Sequence, residues 1–323
     1  MSARTALVLG GTGFVGRHVC AALAGDGYRT LAVGRRPAGA VAPPPDTGYR
    51  VLTEPTVAAL GTLLDRERPD LVVNAAGTVW QPDPDRMARD NAELVTALVT
   101  TAAARPAPPR LVQLGSVHEY GPTPAGEPIA EDRPEAPETP YGRTKLRGTR
   151  TVLAARDVPA VVLRISNVLG PGAPTGSLPG LVAAALAQAR LGDTEAVLEL
   201  SPLIARRDFV DARDVGAAVL CAAGAAEAVG RVVNIGSGES TGVRELVAEL
   251  VRISGVPTRV VERGEQEETR SRSMNWQQLD VSLAARLLGW RPRRTVTASL
   301  ADLWQSVAFG PHSMVSQGPD STL

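Results

Sequence analysis

The stretch Thr5-Ala6-Leu7-Val8-Leu9-Gly10-Gly11-Thr12-Gly13-Phe14-Val15-Gly16 decides how this chain folds. Its first five residues form an apolar run of strand length, and Gly10, Gly13 and Gly16 then follow at the spacing of a tight turn that opens a helix. Glycine at these places permits the turn itself, close approach of the chain to a pyrophosphate, and close packing of the helix on a sheet. The helix N-terminus contributes amides and a positive dipole end to the same phosphates. Thr12, Phe14 and Val15 lie within the turn and belong to the same cradle.

Outward from this turn, short β-rich runs alternate with longer amphipathic segments. Residues 30–33, 71–74, 110–115 and 161–166 read as parallel strands, and residues 13–24, 57–67, 86–105 and 141–155 as the helices between them. The strands are apolar throughout because helices cover both faces of such a sheet. The fold class is therefore α/β, a doubly wound parallel sheet of the Rossmann type. After Val168 the rhythm weakens. A turn-rich loop at 170–179, helices at 181–188, 212–223 and 243–253, and apolar runs at 198–203 and 232–235 suggest a smaller C-terminal substrate-binding lobe over the carboxyl ends of the strands. Helices at 283–288 and 297–307 complete it. The domain reading is 1–167 for the nucleotide-binding domain, with about 205–235 returning to it, 168–308 mainly for the lobe, and 309–323 for a loosely held tail.

A chain of 323 residues can bury a full core. Its 34 basic and 34 acidic residues cancel, which leaves no global field to gather nucleic acid or an anionic membrane. Cys20 and Cys221 read as buried free thiols, too few for a disulfide framework. No run of about 18 apolar residues is present, and the first strand is too short for a signal-peptide core, so a soluble cytoplasmic protein is expected. No metal site is expected.

The second strand ends in Gly34-Arg35-Arg36. A carboxylate there would accept the ribose hydroxyls of NAD, whereas two arginines offer charge-assisted bonds to the 2′-phosphate of NADP. The expected cofactor is thus NADP(H); the other reading of Arg35 and Arg36 is a solvated basic turn. Asn74-Ala75-Ala76-Gly77 ends another strand, where small residues let backbone approach a flat cofactor and the asparagine holds the turn.

Tyr141 and Lys145 stand four residues apart in a helix that begins after Pro140, so both lie on one face. A free tyrosine titrates near 10, and a neighbouring ammonium is expected to lower that value and make Tyr141 a usable general acid. Ser116, at a strand end, can donate to a substrate carbonyl. Alone, such a tyrosine-lysine spacing arises by chance in many helices. The glycine turn, the serine and this pair in that order carry more weight.

Together these segments resemble the extended short-chain dehydrogenase/reductase family over nearly the whole chain. The glycine turn is similar to its cofactor turn, Ser116 with Tyr120-Gly121 to its serine motif, and Tyr141-Gly142-Arg143-Thr144-Lys145 to its active-site helix. The resemblance implies that Ser116, Tyr141 and Lys145 are catalytic, that Lys145 also meets the cofactor ribose, and that Asn91 is the helix asparagine supporting that lysine. It implies that Asn167 contacts the diphosphate of a nucleotide sugar, within Arg164-Ile165-Ser166-Asn167, and that Arg207-Asp208-Phe209-Val210 leads into a later helix of sugar-nucleotide members. Arg207 and Arg270 are further diphosphate candidates, with a solvated charge as the alternative for Arg270. His118 reads either as a pocket residue or as a satisfied polar side chain, and Trp80 as a cleft aromatic or a packed one. Val117 and His118 occupy the places where the family's dehydratases carry an Asp-Glu pair, which disfavours dehydration. Ser116-Val117-His118-Glu119-Tyr120-Gly121 resembles the segment of bacterial dTDP-4-keto-6-deoxyhexose 4-ketoreductases. The expectation is NADPH-dependent reduction of a dTDP-linked keto-sugar in deoxysugar biosynthesis, in a homodimer formed through helices 86–105 and 141–155. A nucleotide-sugar 4-epimerase and a non-catalytic NADP(H)-binding sensor are the alternatives.

Overall fold

Uncharged aliphatic runs make strands that are covered on both faces, and every residue of β1 (Thr5–Leu9) is buried. A glycine turn leads into α1 (Phe14–Gly25), followed by β2 (Arg29–Gly34), β3 (Gly48–Val51), α2 (Val57–Glu67) and β4 (Leu71–Asn74). Next come α3 (Pro84–Ala88), a π-helical turn at Arg89–Glu93, α4 (Leu94–Ala103) and β5 (Arg110–Ser116). Then α5 (Pro140–Ala154) crosses to β6 (Ala160–Ile165). The computed structural model from which these elements are taken describes residues 3–37, 42–79, 83–263 and 275–310. Trp80, Arg270 and residues 311–323 of the expected tail lie outside them.

The central sheet has seven strands in the order β3-β2-β1-β4-β5-β6-β11, where β11 is Val232–Ile235, and all of its pairings are parallel. The order reverses between β1 and β4, which places the ligand crevice at the carboxyl ends of these two strands. One apolar layer packs β1, β4, β5 and β6 against α1 and α7 (Ala212–Gly224). A second fills the opposite face beneath α2, α4 and α5.

Segments between β6 and β11 alternate between sheet and lobe. β7 (Asn167–Leu169) pairs with β10 (Phe209–Asp211), and β9 (Arg206–Arg207) pairs with β12 (Thr241–Gly242). In the lobe, β8 (Ala196–Leu200) pairs with β13 (Thr258–Glu262), and a third apolar cluster joins α6 (Leu178–Leu191), α8 (Val243–Ser254) and α10 (Val296–Ala308). α9 (Ser282–Leu288) instead returns to the main core through Ala284 and Leu288.

Several elements differ from the sequence reading, which has no strand at β7, β9, β10, β12 or β13. The helix expected over 86–105 is broken by the π turn, where Asn91 turns inward. β3 escaped notice because its residues are exposed or half-buried and carry no apolar alternation. No helix among the described residues is long and apolar enough to cross a membrane. The outward face of α5, one of the two helices taken for a dimer contact, presents Arg143, Arg147 and Arg150 to solvent.

Candidate active site

Ser116 ends β5, and the next three residues form a single 3-10 turn that begins with a capping box: Ser116 Oγ accepts from the His118 amide while the Ser116 amide donates to Glu119 Oε1 at 2.8 Å. The other oxygen of Glu119 accepts from Arg164 Nε at 2.8 Å, and both side chains are fully buried. Arg164 also donates to Glu135 at 2.7 Å and lies over the ring of Tyr120. Removing one partner from a buried pair of this kind costs about 3–5 kcal/mol. The serine backbone is therefore fixed by one of the most constrained contacts in the molecule.

Thr139 caps α5 and Pro140 occupies its first turn, which sets Tyr141 and Lys145 against the end of β5. Lys145 Nζ donates to the carbonyl of Leu114. Burial lowers the lysine below its ordinary value, with the charge of Glu119 working against that fall. For Tyr141 the direction is opposite to the sequence expectation. Burial pushes its phenol up to about 12, a hydrogen bond with Ser116 opposes the rise, and Glu119 adds to it. The ammonium of Lys145 is turned to a backbone carbonyl, so desolvation decides. Tyr141 is held as the protonated phenol.

Two cavities share the strip Ala75, Ala76 and Gly77. The first, about 340 Å³, is lined by Gly10, Thr12, Gly13, Arg35, Arg36 and Asp90 among others. A Cβ on Gly16 would lie 2.1 Å from Gly10 O, and one on Gly10 would lie 2.8 Å from Ala76 N, so these glycines let the turn close on itself. Gly13 differs: a Cβ there would meet only Gly10 O, at 3.1 Å. Gly13 is also the N-cap of α1 and provides no side-chain acceptor for the helix's first amides. A cradle with open amides and no acidic residue in its first turn fits a pyrophosphate. Arg35 and Arg36 line the same cavity at the end of β2, while Phe14 and Val15 line the second.

Asn74 and Asn91 line neither cavity. Asn74 is buried, donates to Gln113 Oε1 at 2.9 Å and accepts from the Ala76 amide, which sets the turn of the shared strip. Asn91 accepts from the Thr78 amide at 2.9 Å and donates to Thr78 O and Thr144 Oγ1. It thereby ties the residue after that strip to α5 at Thr144, the neighbour of Lys145.

The second cavity, about 1000 Å³, contains Ser116, His118, Tyr141, Lys145, Asn167 and Arg207. Arg207 is buried, its Nη1 has no hydrogen-bond partner among the described residues, and burial lowers its value to about 10. An unpaired buried guanidinium in a cavity wall is a ready anion ligand. His118 packs edge-on to Tyr141 with ring centroids 5.5 Å apart. Burial and then the charge of Arg207 bring it down to about 4, so it is neutral. Asn167 donates to Asp208 O and to Gln277 Oε1. Val117, expected at the substrate, is instead buried with Tyr120, Ile129 and Leu279, because the turn after β5 points it into that cluster. Among the described lining residues the one carboxylate is Glu199, which pairs with Arg263 at 2.9 Å.

Residues 6–236 match the model of the NAD dependent epimerase/dehydratase family. The chain belongs to that family. It is 43% identical over 307 residues to dTDP-6-deoxy-L-talose 4-dehydrogenase (NAD(P)(+)) of Kitasatospora kifunensis, across 94% of this chain and 96% of the relative. It is 30% identical over 293 residues to UDP-glucose 4-epimerase of Azospirillum brasilense, across 80% of each. It is also similar to the solved structure of RMD from Pseudomonas aeruginosa complexed with NADPH, with 26% identity, a TM-score of 0.78, and coverage of 94% of this chain and 97% of that one. As a member of this epimerase/dehydratase family the chain is an NAD(P)(H)-using enzyme, and the groove formed by the two cavities is where its residues fit that cofactor.

Two important residues of the site were missed in the sequence. Glu119 was legible, since Ser116-Val117-His118-Glu119 has the spacing of a capping box. Asp90, which pairs with Arg35, carries no such signal because the two are 55 residues apart.

Proposed function

We propose that this enzyme carries out net oxidoreduction at C4 of a dTDP-linked 6-deoxyhexose, reducing the C4 ketone with NADPH. The observation that carries the reading is the second cavity: Ser116 and Tyr141 meet there, and the positions after the serine hold valine and histidine in place of an acid-base pair. The Kitasatospora relative is by its name a 4-dehydrogenase of such a sugar, the reverse of this reduction.

When bound, NADPH supplies the hydride. Tyr141, kept protonated by burial, donates its proton to the developing alkoxide. Ser116 stabilises the same oxygen by hydrogen bonding. Arg207 holds the nucleotide diphosphate, Asn167 joins it by exchanging its hydrogen bond to Gln277 Oε1 for one to the phosphate, and neutral His118 borders the sugar beside Tyr141. The homodimer and the cytoplasmic setting belong to the same proposal.

A second reading, 4-epimerisation of a nucleotide sugar, is favoured by the family description and by the Azospirillum relative, and more of the relatives carry an epimerase name than a reductase one. By similarity alone it has the broader support. The test is incubation with NADPH and enzymatically generated dTDP-4-keto-6-deoxyhexoses, with products read by NMR. Stoichiometric loss of NADPH with formation of the C4 alcohol supports reduction. Inversion at C4 of a dTDP-6-deoxyhexose with no net change in cofactor supports epimerisation, and cofactor binding without turnover of either substrate set supports a sensor.

A further inference from the structure

Arg35 stands at the end of β2, where a 2′-phosphate would be met, but its guanidinium is already engaged. Nη1 donates to both carboxylate oxygens of Asp90, at 3.0 and 3.3 Å, and both residues line the first cavity. The pair joins two elements far apart in the chain, the end of β2 and the π turn.

Asp90 is the better anchored partner. Its side chain is 17% exposed against 54% for Arg35, and its Oδ2 accepts from the Thr78 hydroxyl. The Thr78 backbone is in turn held by Asn91 from the same π turn. Arg35 is thus a long, half-exposed side chain tied to a fixed carboxylate.

A phosphate on the ribose would compete with that carboxylate for the same guanidinium and would also be repelled by it. A ribose hydroxyl would meet neither effect. We infer that Asp90 is a cofactor-selectivity residue: by holding Arg35 it lowers the preference for NADP(H) and keeps NAD(H) usable. This rests on the reading of Arg35 and Arg36 as ligands of the 2′-phosphate. Arg36, whose side chain has no ion pair among the described residues, carries the preference that remains.

The size of the effect follows from exposure. A solvent-exposed ion pair changes an equilibrium constant by at most about fivefold, and removal of the repulsion acts in the same direction. Asp90→Asn, which retains an acceptor for Thr78, is expected to raise the ratio of the dissociation constants, NADH over NADPH, by about two- to fivefold. Asp90→Ala is expected to move the ratio the same way.

The experiment is isothermal titration of the full chain with NADPH and NADH, for the parent, Asp90→Asn, Asp90→Ala, Arg35→Ala and the Arg35→Ala/Asp90→Asn double variant. Arg35→Ala is expected to lower the ratio, and the gain from Asp90→Asn is expected to shrink once Arg35 is absent. A ratio unmoved by both Asp90 variants overturns the inference while leaving the phosphate reading of Arg35 intact. An equal gain with and without Arg35 overturns it too. A ratio unmoved by Arg35→Ala removes the underlying reading and the inference with it.

Discussion

Acid weakens this fold through one histidine. His118 ordinarily titrates at 6.5, but burial and the neighbouring Arg207 bring it to about 4 in the folded chain. As pH falls, the unfolded chain takes up the proton first, so stability falls as pH drops from about 6.5 toward about 4 and is flat below that. Linkage between those two values puts the loss at pH 5, relative to pH 7, at about 2 kcal/mol. His18 and other displaced groups, such as Asp208 and Glu131, also contribute to the acid response. They are common to the parent and to His118→Gln, and a comparison of the two isolates His118. Urea unfolding followed by tryptophan fluorescence at pH 7 and pH 5 is the assay. The parent should lose about 2 kcal/mol more than His118→Gln over that interval. Equal losses would show that His118 does not sit neutral and desolvated beside Tyr141, and its placement at the sugar would fall with that result. Arg207→Met should recover part of the loss, and only part, because burial is the larger cause.

Four further outcomes follow from the same geometry. Tyr141→Phe removes the proton donor and should lower turnover by about 10²- to 10⁴-fold while NADPH binding, read by fluorescence titration, persists. Arg207→Met removes a charge-assisted contact worth about 1.5–3 kcal/mol, so the KM for the sugar nucleotide should rise by roughly ten- to a hundredfold with cofactor affinity retained. Gly16→Ala places a methyl group 2.1 Å from Gly10 O and should destabilise the fold by about 1–3 kcal/mol or more in thermal or urea unfolding. Gly13→Ala, which crowds Gly10 O at 3.1 Å and not at 2.1 Å, should destabilise the fold less than Gly16→Ala and weaken NADPH binding.

Periodicity and glycine spacing made the central sheet legible because its strands are apolar on both faces and its turns are sterically demanding. β1, β4 and β11 have the bounds read from the sequence. β3 was not legible, since a half-exposed edge strand has no need of an apolar pattern. The Tyr141–Lys145 pair could be placed on one face by spacing, but spacing says nothing about dielectric, and so the direction of the Tyr141 shift was read wrongly. Val117 shows a related limit: adjacent positions in a single 3-10 turn point one into a core cluster and the other into a cavity. Arg35 was correctly placed at the end of β2, yet its partner comes from a π turn that no local rule announces.

Glu119 answers to two positions at once, the amide of Ser116 and the guanidinium of Arg164. Loss of the guanidinium at residue 164 would strand a carboxylate and also slacken the backbone of Ser116, so 116, 119 and 164 act as one mechanical unit. The side chain of residue 118 has no part in that unit, to which its amide alone contributes. That side chain lines the second cavity from a backbone that others hold still. Exchange there, of imidazole for a carboxylate or a hydroxyl, changes the chemistry of the cavity wall while the frame beneath it stays the same.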